Sequence, residues 1–378
     1  MGFINNPIYV LTVLSLVVIL GVYVGKTKLG KHLGAALLII IFTAILANLK
    51  VIPSASTSIP LYDGIFTYVA PISIFYLLLN INLSSIKRAG IPMIGLFILG
   101  SFATALGILV SWYLLSPENT LGEDGKIIAG MLTGTYTGGS VNFNAIALEY
   151  GFQKKGALYA GTIAVDNVIT TLWIIVTLAF PIFLSRFWPT KTRIKRSQEN
   201  EEFIEDESIN LTSLMWLVFL GLGAYFVSDE LKRHVPQVPS IITISTLGIL
   251  LAQTTFVSKL KGSHNLGLYL VFLFLAVIGA YCELTAVIDL KDLGLTLFLF
   301  AGFSVIFHGV ITILVGGFIY RDWEMIAIVS QANVGGSSTA IALAESFNRK
   351  ELILPAILVG SLGNALGTYL GFLVIYIL

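Results

Sequence analysis

Asp166 is the tenth residue of the apolar run ALYAGTIAVDNVITTLWIIV, and Asn167 follows it directly. A carboxylate near the centre of a membrane helix costs about 2.5–3.5 kcal/mol on insertion scales, so an acid kept there points to function. Two chemistries suit it: binding a sodium ion, or alternately taking and releasing a proton. A structural hydrogen bond to a nearby backbone amide is the other reading of the same residue. Two further segments combine glycine with hydroxyl and amide side chains inside apolar surroundings. The first carries Thr137, Gly138, Gly139, Ser140, Asn142 and Asn144; the second carries Asn333, Gly335, Gly336, Ser337, Ser338 and Thr339. Glycine permits a tight turn and close approach of another backbone or a ligand. Turns at membrane depth survive only when buried in protein or lining a wet cavity. There, freed N–H groups and helix N-termini favour an anion, and freed carbonyls favour a cation. Packing of small residues between helices is the alternative for glycine alone. Clustered Asn, Ser and Thr, present twice, favour a binding site.

The remaining candidates are single residues. Glu283 in GAYCELTAV is a second acid for the cation, near the end of its apolar run. His308 in VIFHGVI and Gln253 are read first as hydrogen-bonding groups between helices. Cys282, the single cysteine, excludes a disulfide framework and a cysteine-based metal site.

The elements that must position these groups are membrane helices. Hydrophobic residues make up 56% of the 378 and charged ones 11%, against about 25% charged in soluble domains. The apolar stretches have the length a bilayer demands of a helix, about 20 residues. Spans are expected at 7–25, 32–49, 65–83, 92–115, 157–184, 212–228, 238–256, 266–288, 295–320 and 352–377. The start lacks a basic n-region and a small-residue cleavage site, so the first span is expected to be retained. Segments 127–149 and 323–346 hold the Gly-Gly-Ser elements and are too polar for a helix facing lipid. A net charge of +1 gives a nucleic-acid partner no electrostatic support. No HExxH, P-loop, GxSxG or paired His/Cys spacing occurs, so no enzyme is expected.

A polar linker, 186–211, divides the chain into halves at 1–185 and 212–378. Each half holds five plain spans and one glycine-rich segment in the same order. Gly-Gly-Ser is followed by Ala-Ile-Ala-Leu in both, at Ala145–Leu148 and Ala340–Leu343. Asn167 lies 28 residues after Gly139, and Asn364 lies 28 residues after Gly336. Asp166 therefore corresponds to Gly363, and only one half carries the acid. Basic residues follow the first span (Lys26, Lys28, Lys31) and the third (Lys87, Arg88), and others open the linker. The positive-inside rule then sets the N-terminus outside and the linker in the cytoplasm. That parity makes 127–149 a re-entrant hairpin, which leaves Lys154 and Lys155 outside; the rival arrangement lets 127–149 cross and puts five basic residues of the linker outside. The expected fold is an all-α polytopic membrane protein of two inverted five-helix repeats, each with a Gly-rich re-entrant or broken helix.

The wording GTYTGGSVNFNAIALEYG with VDN, and VGGSSTAIALA with GN, resembles the YjcL-like family of bacterial membrane proteins, within the cation–proton antiporter and anion transporter superfamily. The architecture is similar to that of glutamate–sodium and 2-hydroxycarboxylate symporters. This resemblance implies a scaffold and a mobile transport domain, sodium or proton coupling, a homodimer, and placement in the bacterial inner membrane. It also implies hairpin tips at Gly138, Gly139, Ser140, Gly335, Gly336 and Ser337. Asp166–Asn167 resembles the acid–amide pair of cation–proton antiporters. The symporters have a further glycine where Ser140 and Ser337 stand, so their substrate does not carry over. The expected activity is sodium- or proton-coupled transport of a small organic anion, an amino acid, a carboxylate or a short acidic peptide, with no resident cofactor beyond the coupling ion. Asp166, Asn167, Asn364 and Glu283 are the expected cation ligands, and the two glycine-rich segments hold the substrate. The alternative is a cation–proton antiporter without an organic substrate.

Overall fold

A computed structural model describes residues 3–27, 30–81, 83, 87, 89–190, 210–236, 238–282 and 291–378. It is helical throughout the described residues. In the first half the helices are α1 (Pro7–Gly25), α2 (Gly30–Asn48), α3 (Pro60–Leu78), α4 (Ile91–Leu115), α5 (Asp124–Gly138), α6 (Ser140–Glu149) and α7 (Gly156–Phe187). The second half has α8 (Leu211–His234), α9 (Ser240–Ala252), α10 (Ser263–Ala280), α11 (Lys291–Ile319), α12 (Trp323–Val334), α13 (Gly336–Ser346) and α14 (Ile353–Ile377). Eight of these are long and apolar enough to cross a bilayer, and α2 and α9 are shorter apolar helices. The chain is a multi-pass membrane protein. Local chemistry sets the helix starts. Asn6 caps α1 by accepting from Ile8 N at 2.9 Å, ahead of Pro7. Asn210 caps α8 through Ser213 N at 2.7 Å, and Asp322 caps α12 through Met325 N at 3.2 Å.

Four of the expected spans have different limits in the structure. The span placed at 65–83 is helical over 60–78, because Pro60 starts the helix one turn earlier and a π-turn over Ile65–Val69 precedes Pro71. The span at 238–256 shortens to 240–252, and that at 212–228 lengthens to 211–234 through the polar turn Asp229–His234. The span at 266–288 begins at Ser263 and is followed to Ala280; residues 283–290, Glu283 among them, lie outside the described residues.

The glycine-rich segments are helical hairpins. A straight helix would separate Gly134 from Ile146 by about 18 Å. Instead, a Cβ built on Gly134 would sit 3.1 Å from Ile146 Cδ1, so α6 folds back along α5. Likewise Gln331 Nε2 donates to Thr339 Oγ1 at 3.1 Å across the α12–α13 turn. The reversals fall at Gly139, with φ +100°, and Gly336, with φ +78°, where a side chain would be strained. Each hairpin is also closed at its base by an ion pair. Lys155 meets Asp124 at 2.6 Å in the first. In the second, buried Arg349 grips both oxygens of Asp322, at 3.0 and 3.1 Å, and also reaches Glu324 and Glu351. Burial alone would lower the pKa of Arg349, but its bonds to the three carboxylates outweigh that and raise it. Lys154 and Lys155, the basic residues at odds with the charge rule, face acids: Lys154 lies 3.8 Å from Asp63.

The two clasps differ in burial, and their removal should differ in cost. Arg349 is 3% exposed, whereas the Lys155 side chain is 53% exposed. Arg349→Ala leaves Asp322 buried without its partner, an expected loss of about 3–5 kcal/mol. Lys155→Ala is expected to cost about 0–1 kcal/mol. Unfolding in detergent, followed by urea titration, checks both; equal losses would contradict the burial argument.

Helix packing divides the molecule into two bundles that cut across the sequence halves. α1, α2, α3, α8, α9 and α10 pack chiefly on one another, and α4–α7 with α11–α14 form the other bundle. Contacts in the two halves correspond. α5 lies on α14 as α12 lies on α7, and α2 lies on α10 as α9 lies on α3; α4 meets its counterpart α11, and α3 meets α10.

Candidate functional site

Helix α14 positions the first hairpin through glycines at spacings of three and four, which share one helix face. Gly363 lies against the Gly138 backbone, Gly367 against Asn142 and Gly134, and Gly371 against Ile146 and Gly130. A Cβ on Gly138 would collide with the Gly363 carbonyl and the Asn364 nitrogen, so the tip meets the helix backbone to backbone. One turn earlier, Gly360 receives Ser337 of the second hairpin. α14 thus touches both tips, and Asn364 stands beside Gly139, its Oδ1 3.9 Å from where a Cβ would be. The second tip reaches α7 in turn: Thr170 Cγ2 lies 3.2 Å from a Cβ built on Gly335. That places Asp166, one turn from Thr170, at the level of the tips.

Polar groups behind the tips form one directed chain. His308, fully buried, has Nδ1 2.9 Å from the Gly100 carbonyl and Nε2 3.0 Å from Ser330 Oγ. A carbonyl can only accept, so Nδ1 carries the hydrogen, and in the neutral ring Nε2 accepts from Ser330. Trp173 Nε1 donates to Ser330 Oγ at 3.1 Å, and Thr104 Oγ1, 3.0 Å from His308 Nδ1, donates to the Tyr136 carbonyl at 3.1 Å. The chain links α7, α12, α11, α4 and α5. His308 is therefore an interhelical hydrogen-bonding residue, as its isolation in sequence suggests. Gln253 is another: it accepts from Leu83 N at 2.8 Å and donates to Ile81 O at 2.8 Å.

Beside this satisfied chain lie groups without partners. Six buried side-chain oxygens among the described residues lack a hydrogen-bond partner: those of Tyr136, Thr137, Gln153, Asp166, Ser245 and Asn333. Four of the six belong to the tips or to Asp166. Tyr136 and Thr170 are the side chains that face the Asp166 carboxyl. Tyr136 lies close enough to interact with that carboxyl, yet neither its hydroxyl nor Asp166 Oδ1 makes a hydrogen bond of normal length and angle. Asn333 uses its amide nitrogen on Phe97 O at 3.3 Å and Ser101 Oγ at 3.0 Å, leaving Oδ1 free. Phe97 also packs at Gly363, which lies against the Thr137 carbonyl, so Thr137 and Asn333 approach the same turn of α4.

The expected substrate residues divide accordingly. Gly138, Gly139, Gly335, Gly336 and Ser337 form the tips, with Ser140 and Ser338 exposed there. Thr339 is bound to Gln331 and to the Gly336 carbonyl at 3.1 Å each. Asn142 and Asn144 are spent on structure. The Asn142 oxygen takes Thr368 N at 3.0 Å and Thr368 Oγ1 at 2.8 Å, and Asn144 accepts from Tyr159. The Asn167 carbonyl accepts from Thr171 Oγ1 at 2.7 Å, an ordinary helix contact. Tyr136 is absent from the expected site residues, although it stands inside GTYTGG, because a tyrosine in an apolar run reads as core.

Residues 10–378 match the family described as Protein of unknown function (DUF819). The chain is 26% identical over 367 residues to "Uncharacterized membrane protein YjcL" of Bacillus subtilis (strain 168), covering 92% of this chain and 90% of that one. Among solved structures, a sodium proton antiporter from Methanocaldococcus jannaschii aligns with a TM-score of 0.45 at 14% identity, over 96% of this chain and 98% of its own.

Proposed function

The chain belongs to the family described as Protein of unknown function (DUF819), and we propose that it is a secondary active transporter, coupled to sodium or protons, for a small organic anion. One observation carries this reading: the unpartnered oxygens of Tyr136, Thr137, Asp166 and Asn333 around the hairpin tips. A buried polar group left unsatisfied costs about 1–3 kcal/mol, and folded proteins leave few. All four are oxygens and one belongs to a carboxylate, the donor type that suits a hard cation stripped of water. Sodium or a proton would complete them. Asn364, beside the first tip, is the amide counterpart contributed by the other half.

The organic anion is assigned to the tips. Gly139 leads into α6 without a side-chain cap, and Ser140 behind it is exposed, so the first N–H groups of α6 face outward. α13 begins in the same way at Gly336. A helix N-terminus favours a carboxylate by about 0.3–1 kcal/mol. We read the halves 1–185 and 212–378 as inverted repeats joined by a cytoplasmic linker, 186–211, a reading supported by their corresponding contacts. The hairpins then enter the membrane from opposite faces, and alternating access is movement of the hairpin bundle against the other.

Uptake into proteoliposomes tests the reading. Radiolabelled small carboxylates should accumulate only when a sodium or proton gradient points inward. Sodium movement driven by a pH gradient, with no organic acid accumulated, would instead establish the antiporter alternative. Absence of both fluxes in a folded preparation would refute transport altogether.

A further inference from the structure

A cavity lined by charged side chains lies away from the hairpin tips, at the end of the molecule where α7 starts. The start of α3, the end of α6, the end of α8 and the start of α9 converge there. Together they enclose about 400 Å³ on the seam between the two bundles. That volume falls within the range of small-molecule sites, about 300–1,000 Å³. Both charge signs line it. Asp63, Asp229 and Glu149 supply carboxylates, and Lys154 and Lys232 supply ammonium groups.

These charges are not equally committed. The Glu149 carboxylate is filled by Lys232 Nζ at 2.8 Å, Ser240 Oγ at 3.0 Å and Ile241 N at 3.2 Å. Across the opening, Asp63 and Lys154 stand 3.8 Å apart, too far for a hydrogen bond, with side chains 61% and 58% exposed. This pair can part to admit a ligand. Behind it, Gln153 lines the cavity at 5% exposure. Glu149 is neutralised by Lys232 and Asp229 by Arg233 at 2.6 Å, so the charges left for a ligand are Asp63, which repels a simple anion, and Lys154, which repels a simple cation. A molecule carrying both charges avoids each repulsion.

We propose that this cavity binds a small zwitterion, an amino acid or a molecule of like chemistry. Its amine is held by Asp63 and its carboxylate by Lys154. Phe66 and Tyr225 supply apolar wall for the side chain. This narrows the organic anion of the proposed function to one that also bears an amine. It rests on that reading for the ligand's onward route but not for its binding, which needs no contribution from Asp166.

Thermal stability of the purified chain tests the proposal, because a ligand that binds only the folded state raises the melting temperature. The probes are the twenty common amino acids, each paired with its carboxylic acid lacking the amine and its amine lacking the carboxylate. At least one amino acid should stabilise the protein, with both half-ligands at least tenfold weaker. Asp63→Asn and Lys154→Gln change exposed side chains and should fold normally; each should weaken binding at least tenfold. No stabilising amino acid, equal binding of an acid without its amine, or undiminished binding by the Asp63 and Lys154 variants would overturn the assignment.

Discussion

Asp166→Asn is expected to fold at least as stably as the native chain and to lose coupled transport by two orders of magnitude or more. The substitution keeps the shape of the side chain and removes the charge. In an ordinary ion pair that would be destabilising, because a partner would be left uncompensated. Among the described residues no basic side chain acts on Asp166; its neighbours are Tyr136 and Thr170. Removing the carboxylate relieves the cost of holding a charge at membrane depth, about 2.5–3.5 kcal/mol. What disappears is the one full negative charge available to the coupling cation. Tyr136→Phe should act in the same sense on a smaller scale, deleting an unpartnered hydroxyl, gaining about 1 kcal/mol of stability and weakening the cation. If both variants lost stability together with activity, the unpartnered oxygens would be structural and the site wrongly placed.

Gly138→Ala is expected to be among the most damaging single-methyl changes in the protein. Its Cβ would fall on the backbone of Gly363 and Asn364, which cannot rotate aside as a side chain could. Overpacking a core usually costs about 1–3 kcal/mol. Backbone against backbone should reach or exceed the top of that range and prise the first tip from α14. Gly161→Ala is the control. It lies in α7, with no atom within 4 Å of the place its methyl would take, and helix propensity alone should make it neutral or stabilising by up to about 1 kcal/mol. Melting temperatures of the two variants in the same detergent decide the matter; similar values would contradict the close approach.

Much of this architecture is legible in the residues themselves. Apolar runs of bilayer length locate the ten apolar helices, because lipid imposes length and composition without regard to tertiary contacts. The hairpins are legible for a related reason: glycine, hydroxyls and amides at that depth are tolerable only in a folded-back, protein-covered segment. The grouping of helices is not. Each half lends its first three helices to one bundle and the rest to the other, and hydropathy is blind to which helix covers which. The α14 stripe GSLGNALGTYLG is visible in the sequence, yet nothing in it says that Gly363 receives a backbone.

The candidate site is legible in part for similar reasons. Asp166 stands out by the cost of its charge, wherever it points. Asn142 and Asn144 look like ligands in sequence because an amide in an apolar run needs partners; here Thr368, Gly363 and Tyr159 supply them. Tyr136 is the converse. Its ring suits a core, and only the placement of its hydroxyl opposite a carboxylate reveals a polar role. Arg349 is equally inconspicuous, since a basic residue between helices resembles an ordinary loop charge until its three carboxylates are in view.

The most direct test of the central claim is equilibrium binding of radioactive sodium to the purified protein, native and Asp166→Asn, across a range of pH. The account predicts saturable binding to the native chain, competition by protons, and loss of the saturable component in Asp166→Asn. Saturable binding that survives in Asp166→Asn, or a native chain whose Asp166 competes for neither sodium nor protons, would contradict it.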